Sequence, residues 1–185
     1  MINSFSKTSE IEIIPMLKKM GAKLIRKMPK EIVFSFKGIE VSIYLEREIE
    51  VYGVVSSSKS KQKVYLSEIL LDYLKIENEG MYHLSERFSL ELCLRKMGDL
   101  IALKIFPLIS SGRIIEAMNL VMVVRKEGLR KYYEGLIEKD AEEAFMGKRY
   151  KEVISCYDKI TELNDVQIKR LEISKRNIVK TSDLT

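Results

Sequence analysis

Apolar residues recur at every second position from about residue 24 to residue 55, and this spacing is typical of half-buried β-strands. Short turn sequences at 28–31, 37–38 and 46–48 separate the alternating runs. Connections of this length join antiparallel neighbours, so the pattern predicts a meander of three or four strands. One face of such a sheet is apolar and must be covered by helices, which makes the N-terminal part of the chain α+β.

A helix is predicted before the meander. Ser9 with Glu12 three positions later forms a capping-box pattern, and apolar residues then follow at three- and four-residue steps. The pattern predicts a helix over residues 10–20. Gly21 ends it, because glycine accepts the backbone conformation that follows many helices.

The spacing becomes helical after the sheet. Residues 56–63, which are small, polar and basic, are predicted to be a loop, and a short helix is predicted from Ser67 to Leu74. The helical spacing continues from Ser85, with interruptions predicted at Gly98, Pro107, 110–112 and Gly128. The sequence therefore predicts an α+β domain at 1–80 and an α-helical domain at 81–185, or one core that both parts share.

The stretch 137–176 carries the strongest helical signal. Its apolar residues predict two helices that form a hairpin around Gly147, where glycine accepts the positive φ of a turn. Asn164 is predicted to cap a third helix, with Gln167 at the position that completes a capping box.

The segment AEEAFMGKRYKEVISCYDKITELND resembles the second half of a tetratricopeptide repeat, and residues 129–162 span the 34 residues of such a repeat. Only one copy is found, and Asn164-Asp165 replaces the proline of that pattern. Because repeats rest on their neighbours, the resemblance implies a terminal hairpin whose outer side is covered by 165–179. An unrelated amphipathic helix pair fits as well. The small, aromatic and turn positions that carry the resemblance are Ala141, Phe145, Gly147, Tyr150 and Tyr157.

Charge and composition narrow the class of protein. The formal net charge is +5, but it is spread over both halves, whereas nucleic-acid binders concentrate positive charge on one face. Cys93 and Cys156 lie in apolar helical patterns and are predicted to be buried as reduced thiols. The N-terminus lacks a signal-peptide layout, and Lys104, Pro107 and Arg113 interrupt the most apolar region. We therefore expect a cytoplasmic protein without membrane spans.

The sequence contains no catalytic motif that we recognise. His83 is the only histidine, so no histidine-based triad or metal site is indicated. The glycine-rich phosphate loops, the GxSxG turn and CxxC pairs are also absent from the sequence. We predict no enzymatic activity, no cofactor and no metal.

Two surface patterns predict binding. Glu46, Glu48 and Glu50 alternate with apolar residues and would line the polar face of the sheet with Tyr44 and Tyr52, where they could hold a basic partner. A second group interleaves basic and aromatic residues as some RNA-binding surfaces do, although neighbouring glutamates dilute its charge. That group is Arg125, Lys126, Arg130, Lys131, Tyr132, Tyr133, Lys148, Arg149 and Lys151.

The general layout, together with the segment 41–74, resembles small bacterial immunity proteins of polymorphic toxin and contact-dependent growth inhibition systems. This resemblance implies a cytoplasmic protein that binds and neutralises a cognate toxin through an exposed surface. Immunity proteins to nucleases are often acidic, whereas this chain is basic. The acidic strand face would then be the local contact, or the toxin is not strongly basic. The alternatives are a tetratricopeptide-like adaptor or regulatory protein and an RNA- or DNA-binding protein.

Overall fold

The structure, a computed structural model, describes residues 2–57, 62–85 and 89–182. The chain divides into two compact units, Met1–Val124 and Arg125–Thr185. The boundary that the sequence suggests at residue 80 falls inside the first unit. Residues on both sides of that boundary contribute to one hydrophobic core within the first unit.

The first unit contains an antiparallel sheet, and the predicted meander forms its first four strands. Two three-residue strands extend it. They pair with adjacent parts of one edge of the fourth strand: Lys63–Tyr65 pairs with Val54–Ser56, and Met81–His83 pairs with Glu50–Tyr52. The strands are β1 (Lys23–Met28), β2 (Glu31–Phe36), β3 (Ile39–Glu46), β4 (Glu50–Ser57), β5 (Lys63–Tyr65) and β6 (Met81–His83).

The loop predicted at 56–63 is therefore shorter than expected. Ser56 and Ser57 end β4 and Lys63 begins β5, because their backbone groups continue the ladder between these two strands. The middle of the predicted loop, 58–61, lies outside the described residues, as do 86–88 at the start of the predicted helical half.

Helices precede and follow the sheet within this unit. They are α1 (Ile2–Glu12), α2 (Ile14–Lys19), α3 (Leu66–Glu68), α4 (Leu90–Leu100) and α5 (Phe106–Ser110), with π-helical turns at Ile69–Tyr73 and Ile101–Ile105. The predicted cap at Ser9 is wrong, because α1 begins earlier and the Ser9 hydroxyl donates to the Phe5 carbonyl within the helix. Phe5 is buried in the core, which explains why the helix extends upstream. Gly21 has a φ of 90° and follows α2, as predicted.

Two glycines that were expected to interrupt helices lie inside them. Gly98 is within α4, where a Cβ would lie 2.2 Å from the Met16 side chain, so its lack of a side chain allows close packing. Gly128 is within α6 (Ile114–Met146), because one glycine costs a long helix only about 1 kcal/mol. Pro107 stands in the first turn of α5, where its missing N–H is tolerated. The break predicted at 110–112 occurs one residue later, at 111–113.

The inner face of the sheet and the helices form the core of the first unit. Gly53 is essential to that packing, because a Cβ at this position would lie 2.0 Å from the Leu66 Cδ1 atom. The fully buried side chains from strands and helices include Ile32, Phe34, Ile43, Leu66, Leu94 and Met97.

The second unit contains the predicted helical hairpin and third helix. After α6, the chain turns into α7 (Tyr150–Tyr157) and then α8 (Asp165–Ser182). The positive φ of the turn belongs to Lys148 at 56° and not to Gly147, so that detail of the prediction is wrong. Asn164 caps α8 as predicted: its Oδ1 accepts from the Gln167 N–H at 3.0 Å, while its own N–H donates to the Gln167 Oε1 at 2.8 Å.

Candidate functional site

A row of paired residues crosses five strands on the outer face of the sheet. Met28 pairs with Glu31, Glu31 with Tyr44, Tyr44 with Tyr52, and Tyr52 with Met81. Directly paired residues project from the same side of a sheet, so these side chains form one continuous line. The register thus places two of the predicted binding residues, Tyr44 and Tyr52, side by side at its centre.

The tyrosines extend beyond this row. The Tyr44 and Tyr52 rings stack with centroids 5.2 Å apart, and Tyr65 on β5 meets Tyr52 edge-on at 5.7 Å. Tyr65 is 44% exposed, and Met28 and Met81 are exposed at the two ends of the row. Tyrosine and methionine are enriched where proteins bind each other. We name this surface the tyrosine face; its residues are Met28, Glu31, Tyr44, Glu46, Glu50, Tyr52, Tyr65 and Met81.

A polar network fixes one side of the tyrosine face. Arg26 donates from Nε and Nη2 to the two carboxylate oxygens of Glu31, at 2.9 and 2.8 Å. This fork of hydrogen bonds lowers the pKa of Glu31. Burial, followed by the hydrogen bond to Glu31, raises the pKa of Tyr44. Tyr44 therefore remains a neutral hydroxyl donor at physiological pH.

The acidic end of the tyrosine face lies where β3 meets β4. Glu46 and Glu50 are paired directly across these strands, and like charges in that arrangement repel each other. Glu50 also pairs across to His83, whose Nε2 lies 3.6 Å from its carboxylate. Burial, followed by the negative charge of Glu46, raises the pKa of Tyr52. A cation from a partner would relieve the repulsion between the two carboxylates.

Glu48 is separate from the other predicted binding residues. It stands in the turn between β3 and β4 with a φ of 63°, and its carboxylate lies 3.7 Å from the Lys30 ammonium. The alternation seen in the sequence continued through this turn, whereas the strand did not. Glu48 is consequently at the rim of the surface, and Ile49 beside it is 54% exposed.

Sequence reasoning missed Met28, Glu31, Tyr65 and Met81 as members of this surface. Tyr65 and Met81 lie on three-residue strands, which are too short to show an alternating pattern. Met28 was assigned to a turn, although it pairs with Glu31 as the last residue of β1. A tyrosine just before a predicted helix was the only available signal for β5.

The basic and aromatic group predicted from the sequence is divided between a helix and a turn. Arg125, Lys126, Arg130, Lys131 and the tyrosine pair belong to α6, and the remaining three surround the start of α7. Arg130 pairs with Glu127 at 2.6 Å and with Glu134 at 3.9 Å. Arg149 pairs with Glu152 at 2.9 Å. These glutamates reduce the attraction that the group would exert on phosphates.

Metal ligands, cysteine thiols and membrane-spanning helices are the other features that could indicate a function. Within residues 2–57, 62–85 and 89–182 there is no cluster of three or more His, Cys, Asp or Glu side chains that could hold a metal ion. Cys93 is buried and Cys156 half-buried, and both are free thiols. In the same described part of the chain, no helix combines the length and the apolar character that a membrane span requires.

A groove in the first unit has a volume of about 280 Å³. The Tyr82 hydroxyl donates to the Glu79 carboxylate beside it, and the Lys96 ammonium lies 5.9 Å from the Tyr82 ring centroid. Burial is the largest cause of the raised pKa of Tyr82, so this hydroxyl stays protonated and is a poor acid. Most of the exposed surface of the groove is apolar, and four charged side chains lie at its walls. Its lining is Ile76, Glu79, Tyr82, Lys96, Asp99, Leu100, Leu103 and Lys104.

Comparison of the chain with protein-family models, with curated proteins and with solved structures gives no significant match in any of the three. The geometry of the tyrosine face is thus the observation from which function must be argued.

Proposed function

We propose that this chain is an immunity protein that binds and neutralises a cognate bacterial toxin through the tyrosine face. The observation that carries the proposal is the ladder of Tyr44, Tyr52 and Tyr65 with two facing carboxylates at its end. Large rings bury much area and lose little side-chain freedom on binding, and the carboxylates add charge selectivity. Such a surface suits a protein partner.

The chemistry of the partner follows from the surface. Glu46 and Glu50 face each other across the strands, so an arginine or lysine placed between them would form two ion pairs and end their mutual repulsion. The tyrosines and Met81 alongside would contact apolar side chains. We therefore propose a toxin domain that presents a basic residue surrounded by apolar ones.

The experiment is co-expression with the toxin domain encoded beside the gene of this chain. Growth is expected to be restored by the wild type. The double variant Glu46→Lys/Glu50→Lys is expected to lose that rescue, and Tyr65→Ala is expected to weaken toxin binding by roughly 30-fold or more, as for a binding hot spot. Glu162→Lys, an exposed charge reversal outside the tyrosine face, is the matched control.

Two results contradict the proposal. One is rescue that survives Glu46→Lys/Glu50→Lys while the purified variant stays folded by circular dichroism. The other is a gene neighbourhood without a secreted toxin. Glu48→Lys gives a graded comparison, because Glu48 is at the rim and already paired with Lys30. Its effect is expected to be smaller than that of either Glu46→Lys or Glu50→Lys.

A further inference from the structure

A glycine–leucine pair occurs twice on α6, as Gly128-Leu129 and Gly135-Leu136, with Tyr132-Tyr133 between them. The two pairs are seven residues apart, which is close to two helical turns. They therefore lie one above the other on the same side of the helix. We name Gly128, Leu129, Tyr132, Tyr133, Gly135 and Leu136 the α6 stripe.

The α6 stripe is exposed. Leu129 is 57%, Tyr132 63%, Tyr133 59% and Leu136 41% exposed. The opposite side of α6 belongs to the core of the second unit, where Ala141 is buried. Nine residues, or two and a half turns, separate Tyr132 from Ala141, so the two point in opposite directions. A contiguous apolar patch on a free surface indicates a binding site.

The two glycines of the stripe are not explained by packing within the chain. A Cβ at either Gly128 or Gly135 would have no neighbour within 4 Å, and both have helical φ values. Glycine is among the poorest helix formers, and its use twice on one exposed helix is therefore costly. A reason for it would lie outside the chain, because glycine allows the backbone of a second helix to approach closely.

We propose that a second copy of this chain packs on the α6 stripe, with the two α6 helices antiparallel. Such a pair has twofold symmetry, so the surface must be complementary to itself. With Gly128 placed against the partner's Gly135, the two backbones can come close on that edge. Tyr132 then lies beside the partner's Tyr132 at the symmetry axis, and the leucines interleave around it.

The charges at the two ends of the stripe favour the antiparallel arrangement. Arg125 and Lys126 precede the stripe, and Asp140 follows it. A parallel pair would place each of these charges next to its own copy. With Tyr132 at the axis, the antiparallel pair places Lys126 opposite the partner's Glu138 and brings Arg125 close to the partner's Asp140. Lys139 is the unfavourable member, since it approaches the partner's Arg125.

The test is sedimentation equilibrium on the full chain over a range of concentrations. We expect a concentration-dependent dimer that Leu129→Glu/Leu136→Glu abolishes, with helix content retained by circular dichroism. Val123→Glu is the matched control: Val123 is 64% exposed on the same helix but nine residues from Tyr132, hence on its opposite side. Lys139→Glu is expected to tighten the dimer, because it replaces repulsion of Arg125 by attraction.

Disulfide formation tests the alignment. Tyr132→Cys is expected to cross-link to its own copy under mild oxidation, because this residue meets itself at the axis. Gly128→Cys and Gly135→Cys are expected to cross-link when mixed and not when each is alone; the wild type, with Cys93 and Cys156, is the control. A chain that stays monomeric at about 1 mM, or self-linking by Gly128→Cys alone, overturns the proposal. The proposal is also overturned if the stripe binds an added foreign protein but does not bind a second copy of this chain.

Discussion

Gly53→Ala adds one methyl group at the tightest contact between the sheet and the helices. The new Cβ would lie 2.0 Å from Leu66 Cδ1, 2.8 Å from Leu66 Cγ and 3.3 Å from Met97 Sδ. Leu66 and Met97 are both fully buried, so neither can move into solvent. The side chains must shift together or the strand must separate from α3. Both responses weaken the native packing.

The expected cost follows from these contacts. Forcing an extra methyl group into a filled core costs about 1–3 kcal/mol. Alanine also restricts the unfolded chain more than glycine does, and this effect offsets about 0.4–1 kcal/mol of the destabilisation. The free energy of unfolding of the first unit should therefore fall by about 1–2 kcal/mol. This change corresponds to roughly 5- to 30-fold faster exchange of the most protected amides.

Amide hydrogen exchange is the appropriate assay, because it reports on β3 and β4 separately from the second unit. Ile11→Ala in α1 is the control, because this side chain is 74% exposed in the same unit and substitutions at exposed positions change stability by only about 0.5 kcal/mol or less. Leu66→Ala alone should cost about 2–5 kcal/mol. In the double variant Gly53→Ala/Leu66→Ala the new methyl group partly fills the cavity. The loss of stability in the double variant should then be about 1 kcal/mol smaller than the sum of the losses in the two single variants. Additive costs, or a Gly53→Ala protein as stable as the wild type, would refute the steric argument.

Three further predictions concern other contacts. Asn164→Ala removes the cap of α8 and should lower the stability of the second unit by about 1 kcal/mol in hydrogen exchange, whereas Asn177→Ala inside the helix should not. The folded-state pKa values of Tyr44 and Tyr52 are raised above 10.0, so their contribution to stability is complete below pH 10.0 and is lost as the pH rises through the raised values. In denaturant titrations at increasing pH, Tyr44→Phe and Tyr52→Phe should lose stability less steeply than the wild type does. An unchanged dependence of stability on pH would contradict the shifts. Glu46→Gln should stabilise the first unit by about 0.5 kcal/mol, because it removes repulsion from Glu50.

The parts of the fold that were predictable are those with long, regular patterns. Strands β2 to β4 have six to eight residues each, long enough for alternation to show which side is buried. Asn164 was recognised as a cap because the whole reciprocal pattern with Gln167 is local. Ser9 showed the same pattern with Glu12 and was misleading, since burial of Phe5 extends the helix past it.

The parts that were not predictable depend on contacts between distant residues. Gly98 was expected to interrupt a helix, and only the position of Met16 shows that it is needed inside one. Tyr65 joins the tyrosine face because β5 pairs with β4. A strand of three residues is too short for its pairing to be predicted from the sequence. Tyr44 and Tyr52 were predicted correctly to share a face, whereas Glu48 was not separated from them, because alternation alone does not show where a strand ends.

The direct pairing of Glu46 with Glu50 allows a structural role of these two residues to be distinguished from a binding role. A surface selected only for stability would not keep two carboxylates opposite each other, because one neutral residue would remove the repulsion. A surface selected for binding keeps them if a cation of the partner lies between them in the complex. Glu46→Gln should then raise the stability of the free protein and weaken toxin binding at the same time. A variant with higher stability and undiminished binding would mean that the acidic end of the tyrosine face is outside the contact.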